Sequence, residues 1–177
     1  IDCNAGTVEA TAEKFHKIIL DPNNEEKIFT RQFAQKGSTN WLVLQHGPNG
    51  YHNWSGITPS HDLVAAFEMA DGTLMTGFSN VGDKKTSNPY LNREPRFYAD
   101  IFYEGSYWKK RPADVEARDP KGVIQVGTWE KWDESASAKK LVYGLDTRKS
   151  GVEDWNGGYT GYYMRKFQDP SVDVQYF

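Results

Sequence analysis

The sequence predicts an α+β fold that is rich in loops, with short helices and a few strands. Amphipathic helical patterns are short, and the runs that alternate apolar and polar residues are separated by long polar stretches. Only 38% of the 177 residues are hydrophobic, yet the chain contains six Trp, ten Tyr and nine Phe. Such a composition is typical of a domain in which aromatic rings supply much of the packing.

Composition and charge exclude several classes of function. The net charge is -3 and no long basic run occurs, so no nucleic-acid partner is predicted. No apolar stretch reaches the roughly 18–20 residues of a membrane span. A single cysteine, Cys3, excludes an intrachain disulfide. The chain is expected to be one segment, residues 1–177, and a processed or excised piece of a longer protein, because it begins at Ile1 without an apolar signal segment.

The first half of the chain predicts two helices, one strand and a long loop. A helix is expected over Thr7–Leu20, capped by Thr7, because apolar residues recur every three or four positions. An imperfect alternation predicts a strand over Lys27–Ala34. A polar and aromatic loop follows, and a second helix is expected over Ser60–Ala70, with Leu63, Val64 and Phe67 on its buried face.

The second half predicts short elements between loops. Residues 77–89 are expected to form a loop, and residues 93–98 one helical turn before a strand near 99–103. Further strands are predicted over Val123–Trp129 and Tyr162–Phe167. The polar stretch Asp133–Lys140 is interpreted as a mobile connector, and residues 156–158 as a flexible turn.

A block of eleven residues predicts a rigid, hydrogen-bonded turn. Two prolines keep the residues before them out of helical geometry, and asparagines suit tight turns. Arg93 and Arg96 each carry several donors for carboxylates or backbone carbonyls, so a structural role is favoured for both. The block reads Asn88-Pro89-Tyr90-Leu91-Asn92-Arg93-Glu94-Pro95-Arg96-Phe97-Tyr98.

This block resembles the Asn-Pro-Tyr-x-Asn-Arg-Asp-Pro-Arg-Phe-Tyr stretch of the SusD/RagB family, with Glu94 where Asp is more usual. Other pieces that resemble the family follow in the same order along the chain. They are Asn24-Glu25 with Ile28-Phe29, Pro59-Ser60 through Asp71-Gly72, Ile101-Phe102-Tyr103-Glu104-Gly105 with Trp108, and Gly161-Tyr162-Tyr163-Met164-Arg165-Lys166-Phe167. The resemblance covers residues 24–167, while the helix that usually follows the last strand in the family lies beyond the chain's end.

The resemblance implies a segment of the C-terminal half of a protein otherwise built on an α-helical TPR-like superhelix. It implies a cell-surface lipoprotein of Bacteroidetes-type bacteria, held at the outer membrane by a lipid anchor that this chain lacks. Such proteins sit over a TonB-dependent transporter of the SusC type, capture oligosaccharides or, less often, peptides, and carry no catalytic centre or cofactor. Within the block of residues 88–98, the family resemblance implies a structural motif, and its expected members are Asn88, Tyr90, Arg93, Arg96 and Tyr98.

The polar and aromatic loop is the first candidate for contact with a sugar, because aromatic rings can stack on the apolar C–H faces of sugar rings. The candidate residues, with polar neighbours for the hydroxyls, are Trp41, Tyr51, His52, Asn53 and Trp54. The alternative is that these rings fill the core under the loop. A second, more distant set is Trp129, Trp132 and Trp155.

Other readings stay open. A glycoside hydrolase would need two carboxylates at a fixed separation in a cleft, which proximity in sequence does not supply. The acidic candidates are Asp114 and Glu116, and Glu130, Asp133 and Glu134. A module that docks on the transporter without touching sugar, or a peptide-binding variant, is also compatible with the sequence. No metal site is predicted, because His46, His52 and His61 lack the spacing of zinc ligands.

Overall fold

The structure is a computed structural model that describes residues 3–29, 41–75, 88–172 and 174. Its helices are α1 (Val8–Leu20), α2 (Trp41–His46), α3 (His61–Ala66) and α4 (Pro95–Asp100). Its strands are β1 (Ile101–Phe102), β2 (Thr128–Asp133), β3 (Ala138–Tyr143) and β4 (Tyr163–Met164). Short 3-10 helices occupy Asn49–Tyr51, Glu116–Arg118 and Asp154–Asn156. The predicted loop-rich α+β class is therefore confirmed.

The strands form two separate antiparallel pairs. In the first pair, Ile101 lies opposite Met164 and Phe102 opposite Tyr163. The second pair is a hairpin of β2 and β3, in which Glu130 lies opposite Leu141. The hairpin strands are exposed almost throughout, and none of their residues belongs to a hydrophobic cluster of the described residues.

The core lies on both faces of the β1–β4 pair, since successive residues of a strand point to opposite sides. Ile101 and Tyr162 pack on one side, and Phe102 and Tyr163 on the other. The first cluster is completed by Val64, Tyr90 and Phe97, and the second by Tyr51, Trp108 and Ile124. Aromatic rings fill both clusters, as the composition predicts.

Helix α1 is confirmed with its predicted cap, because the Thr7 side chain accepts a hydrogen bond from the Ala10 N–H. The helix packs against α4, and its buried His16 contacts the Arg165 carbonyl through Nε2 at 3.1 Å. Glu13 pairs with the Arg165 guanidinium at 2.6 Å. These contacts tie the N-terminal helix to the segment just after β4.

Three predictions about the first half need correction. Residues 27–29 do not form a strand, and Ile28 is 100% exposed. The rest of the predicted Lys27–Ala34 strand lies outside the described residues. Residues 77–87 of the predicted loop lie outside them as well. The predicted aromatic loop instead contains α2 and a 3-10 helix. The second helix begins at its expected Ser60 cap but ends at Ala66, because residues 68–74 turn back in a bridge of Glu68 with Leu74. Its Leu63 is exposed.

The segment before β2 shows why the predicted strand over Val123–Trp129 begins only at Thr128. Its backbone N–H groups donate largely to carboxylates from elsewhere in the chain, so they are not available for a strand ladder. Asp119 accepts from Val123, Asp146 from Gln125, and Glu104 from both Val126 and Gly127, at 2.6–2.9 Å.

The prediction of a mobile connector over Asp133–Lys140 is wrong, because these residues form the turn of the hairpin and the adjoining ends of β2 and β3. The Asp133 side chain accepts from the backbone N–H groups of Ser135 and Ala136 and so stabilises the turn. In the predicted flexible turn, Gly157 is buried, and a Cβ there would lie 2.5 Å from the backbone nitrogen of Arg148. The close approach of the Arg148 backbone therefore explains why position 157 holds a glycine. The last predicted strand shortens to Tyr163–Met164.

Candidate functional site

Trp41 and Trp54 form an exposed aromatic pair. Their ring centroids lie 5.3 Å apart and their planes meet at 74°. Trp41 is 58% exposed and Trp54 41% exposed, so both rings keep open faces. Exposed aromatic rings that are already in contact lose little further freedom when a flat apolar ligand face settles on them. The pair can therefore act as a stacking platform.

Backbone hydrogen bonds hold the two tryptophans near each other. Trp41 begins α2, and the Trp54 N–H donates to the carbonyl of Leu44 in the same helix at 2.7 Å. The Ile57 N–H donates to the carbonyl of Gln45, the next residue of the same helix, at 2.9 Å. The segment that carries Trp54 thus runs alongside the helix that carries Trp41.

Tyr51 and Asn53 lie in the interior, each with 2% of its surface exposed. The Tyr51 hydroxyl donates to the Lys109 carbonyl at 2.8 Å, and burial raises the pKa of this phenol above its usual value. The Arg111 guanidinium lies 4.2 Å from the centre of the Tyr51 ring. Neither side chain presents a free face beside the tryptophan pair.

His52 bridges two acidic residues from distant parts of the chain. Its Nδ1 lies 2.9 Å from Glu153 Oε1, and its Nε2 lies 3.1 Å from Asp114 Oδ1. The residue ends a 3-10 helix in the left-handed conformation, with φ of 61°. Both ring nitrogens are therefore already engaged by protein partners.

A buried ion cluster lies behind Tyr51, and no sequence pattern pointed to it. Arg111 donates two hydrogen bonds to the Asp146 carboxylate, at 2.8 and 2.7 Å, and one to Asp119 at 2.9 Å. The side chains of Arg111 and Asp146 are 0% exposed. Asp119 lies 8 positions from Arg111 and Asp146 lies 35 positions from it. Since the three residues belong to no periodic element, only the folded chain reveals their contact.

The turn at residues 88–98 is built around Arg93, which is fully buried. Its guanidinium donates to the carbonyls of Val64 and Phe67, both at 2.7 Å, at the end of α3. The Tyr98 hydroxyl accepts from the Arg93 N–H and donates to the Tyr90 carbonyl, at 3.1 and 2.7 Å. The side chain of Arg93 thus joins the turn to α3.

The two ends of this turn are nearer the surface. The Asn88 side chain accepts from the Tyr90 N–H at 3.0 Å, as an Asx turn does. Arg96 is exposed and pairs with Glu94 at 2.5 Å. Glu94 also accepts from the Glu68 N–H at 3.1 Å, so the acid links the turn to the segment after α3.

The second aromatic set is exposed but dispersed. Trp129 and Trp132 lie on β2, three positions apart, so they point to opposite faces of the hairpin. Trp155 lies on a separate 3-10 helix and is 70% exposed. No ring contact joins these three tryptophans among the described residues.

Partners within the fold engage four of the acidic candidates. Asp114 contacts His52, Glu116 pairs with Lys110 at 2.9 Å, and Glu130 pairs with Lys139 at 2.9 Å. Asp133 accepts the hydrogen bonds of the hairpin turn. Within residues 3–29, 41–75, 88–172 and 174, no group of three or more His, Cys, Asp or Glu residues is placed to hold a metal ion. In the same ranges, no helix is long and apolar enough to cross a membrane.

A cavity of about 410 Å³ lies beside the interior residues Tyr51 and Asn53. Its walls include Tyr51, Asn53, Trp108, Lys109 and Gln168. The Lys109 ammonium crosses its edge to the Val172 carbonyl at 2.6 Å. Buried polar groups and the rings of Tyr51 and Trp108 thus line the cavity, whereas the exposed tryptophan pair lies outside its walls.

Comparisons with known proteins agree with the resemblance seen in the sequence. The family model described as the SusD family matches residues 20–176. The chain is also similar to the crystal structure of a SusD-like protein from Bacteroides fragilis NCTC 9343, at 26% sequence identity and a TM-score of 0.55. This match covers 89% of the chain but 28% of that protein, so the chain spans less than a third of its structural relative. Comparison with curated proteins gave no match.

Proposed function

The chain belongs to the SusD family, and from this premise we propose that it binds oligosaccharides at the outer-membrane surface without converting them. In this proposal, the bound oligosaccharide passes to a TonB-dependent transporter of the SusC type. Proteins of the family are generally non-catalytic binding proteins with a role in nutrient uptake, and they are typically outer-membrane lipoproteins.

The observation that carries the proposal is the exposed pair of Trp41 and Trp54. Two rings that meet at 74° offer two differently oriented apolar faces, which suits the kinked path of linked sugar rings better than one flat plate. Burying rings that are now 58% and 41% exposed would supply the apolar part of the affinity. The proposed contact surface is these two rings. Tyr51 and Asn53 are interior, and His52 is engaged by Glu153 and Asp114.

A glycan array followed by calorimetry tests the proposal. We expect the Trp41→Ala/Trp54→Ala variant to lose about tenfold or more in affinity for the glycan that binds the wild-type chain, since each ring contributes on the order of 1 kcal/mol or more. Trp132→Ala is the matched control, because it removes another exposed tryptophan from the hairpin.

Each outcome assigns the surface to one function. Unchanged affinity in the double variant together with a weakened complex with the transporter would contradict the proposal and favour a docking module. Lost affinity in Trp132→Ala alone would move the site to the second aromatic set. Turnover of the glycan that is abolished by replacing one carboxylate would establish a glycoside hydrolase instead.

A further inference from the structure

The contacts of His52 require the doubly protonated ring. An ionised carboxylate can only accept hydrogen bonds, and a neutral imidazole carries one N–H. Here both ring nitrogens lie within 2.9–3.1 Å of a carboxylate oxygen, one from Glu153 and one from Asp114. A neutral ring could satisfy only one of these contacts and would set its lone pair against the other carboxylate. The geometry therefore fits an imidazolium.

The surroundings of His52 support the same protonation state. Glu153 and Asp114 are the charged groups that face the ring from the segments packed against it. Burial opposes the charge, but the hydrogen bonds to Glu153 and Asp114 outweigh it and raise the pKa of His52 above its ordinary 6.5. The side chain is 13% exposed, so solvent screens these contacts only in part.

His52 also lies where it can control the position of Trp54. Its left-handed φ of 61° is a conformation that side-chain-bearing residues adopt only when their surroundings hold them there. Two residues later, the Trp54 N–H makes the hydrogen bond to Leu44 that brings the two tryptophans together. Release of His52 would let the backbone before Trp54 relax.

We infer that His52 is a positioning residue: its imidazolium ties the 49–54 segment to Asp114 and Glu153 and so holds Trp54 against Trp41 for binding. This inference rests on the oligosaccharide binding proposed above. It makes the affinity of the site depend on pH, because loss of one proton breaks one of the two contacts. Affinity is then highest when the ring is charged and falls as the pH rises through the pKa of His52.

Hydrogen exchange tests the positioning role without any ligand. Between pH 6 and pH 9, after correction for the intrinsic exchange rate, we expect amide protection in peptides covering residues 49–57 to fall about three- to tenfold. His52→Gln should show the low protection at both pH values. His61→Gln, which replaces a histidine on α3, should keep the wild-type response and serves as the matched control.

A conservative variant separates positioning from general damage. In Asp114→Asn the amide can donate an N–H to the neutral ring, so protection at pH 9 should return to at least half of the pH 6 value. A wild-type chain with the same protection at both pH values would overturn the inference. So would Asp114→Asn with protection as low as His52→Gln.

Affinity measurements connect the positioning role to binding. For the glycan that gives the strongest array signal, the wild-type dissociation constant should rise about three- to tenfold from pH 6 to pH 9, while that of His52→Gln stays constant. A pH response in exchange but not in affinity would overturn the link to Trp54. If no glycan binds at either pH, the proposed function fails, and the exchange experiment still decides whether His52 positions the segment.

Discussion

The guanidinium of Arg111 shows how one residue can determine the stability of the region behind Tyr51. It is enclosed between the carboxylates of Asp119 and Asp146, which in turn accept the backbone N–H groups of Val123 and Gln125. A buried ion pair of this kind contributes little net energy when intact, yet removal of one partner leaves an uncompensated charge.

Arg111→Met should therefore destabilise the protein by about 3–5 kcal/mol, because two buried carboxylates lose their counter-charge. Urea unfolding followed by tryptophan fluorescence measures the change. Lys110→Ala is the control next in sequence, and its exposed pair with Glu116 should cost less than about 1 kcal/mol. Equal effects of the two substitutions would show that the Arg111 cluster does not hold this region together.

A second residue-scale prediction concerns the hydroxyl of Tyr98. Tyr98→Phe removes the bridge between the Arg93 N–H and the Tyr90 carbonyl and should cost about 1–3 kcal/mol, since it leaves buried backbone groups without a partner. Tyr107→Phe, at a side chain that is 69% exposed, should change the free energy of unfolding by less than about 0.5 kcal/mol. A neutral result for Tyr98→Phe would mean that the hydroxyl bridge does not stabilise the turn.

At the scale of elements, the hairpin of β2 and β3 differs from the rest of the fold because its strands are exposed on both faces. Isolated two-stranded hairpins are marginally stable in water, and this one adds little to the core. Its cross-strand pairs include Lys131 opposite Lys140, a like-charge pair that weakens it further.

Shortening the hairpin should accordingly leave the remaining fold intact. Residues 131–140 can be replaced by Asn-Gly, which joins the directly opposed Glu130 and Leu141 by a two-residue turn. The free energy of unfolding should change by less than about 1 kcal/mol, as measured by urea unfolding with near-ultraviolet circular dichroism. A loss of several kcal/mol would reveal packing that the exposed strands do not show.

Helix α1 and the helical turn before β1 were predicted well from the sequence. Helix α1 carries its apolar spacing and its Thr7 cap within 14 consecutive residues, and the structure has the same bounds to within one residue. The helical turn predicted at residues 93–98 is present as α4 (Pro95–Asp100), which leads into β1 as expected. In both helices the backbone hydrogen bonds lie within a few residues of one another.

Features that depend on distant partners were predicted less well, and β1 and β4 were expected with longer bounds than they have. Alternation made residues 123–127 look like a strand, but carboxylates of Glu104, Asp119 and Asp146 take most of their N–H groups. At the candidate site, the sequence singled out five neighbouring residues and could not separate the two exposed rings from the interior Tyr51 and Asn53. Which rings are exposed depends on how α2 packs, and its carbonyls accept hydrogen bonds from the segment 53–57.

For the whole molecule, two histidines are expected to limit stability at opposite ends of the pH range. Burial lowers the pKa of His16 below 6.5, so the unfolded chain binds this proton more tightly, and stability is lost as the pH falls through the lowered value. The pKa of His52 is raised above 6.5, so its contribution is complete below that pH and is lost as the pH rises through the raised value.

The free energy of unfolding should therefore pass through a maximum close to pH 6.5 when measured in urea between pH 5 and pH 9. His16→Gln should flatten the acidic side of this profile, and His52→Gln the alkaline side, because each removes one of the two proton linkages. A profile that both substitutions leave unchanged would exclude these histidines as its cause.

The contacts of Arg165 also determine the order in which the chain can assemble. β1 pairs with residues 61 and 63 positions further along, and α1 reaches its partner at Arg165 across 149 residues. Such contacts close long loops, which slows folding even where it costs little stability. Helix α1 is synthesised before both α4 and Arg165, so its docking surface is complete only after the chain has been made as far as Arg165. Until then its apolar stripe is only partly covered, and a chaperone or a premature contact has its best opportunity there.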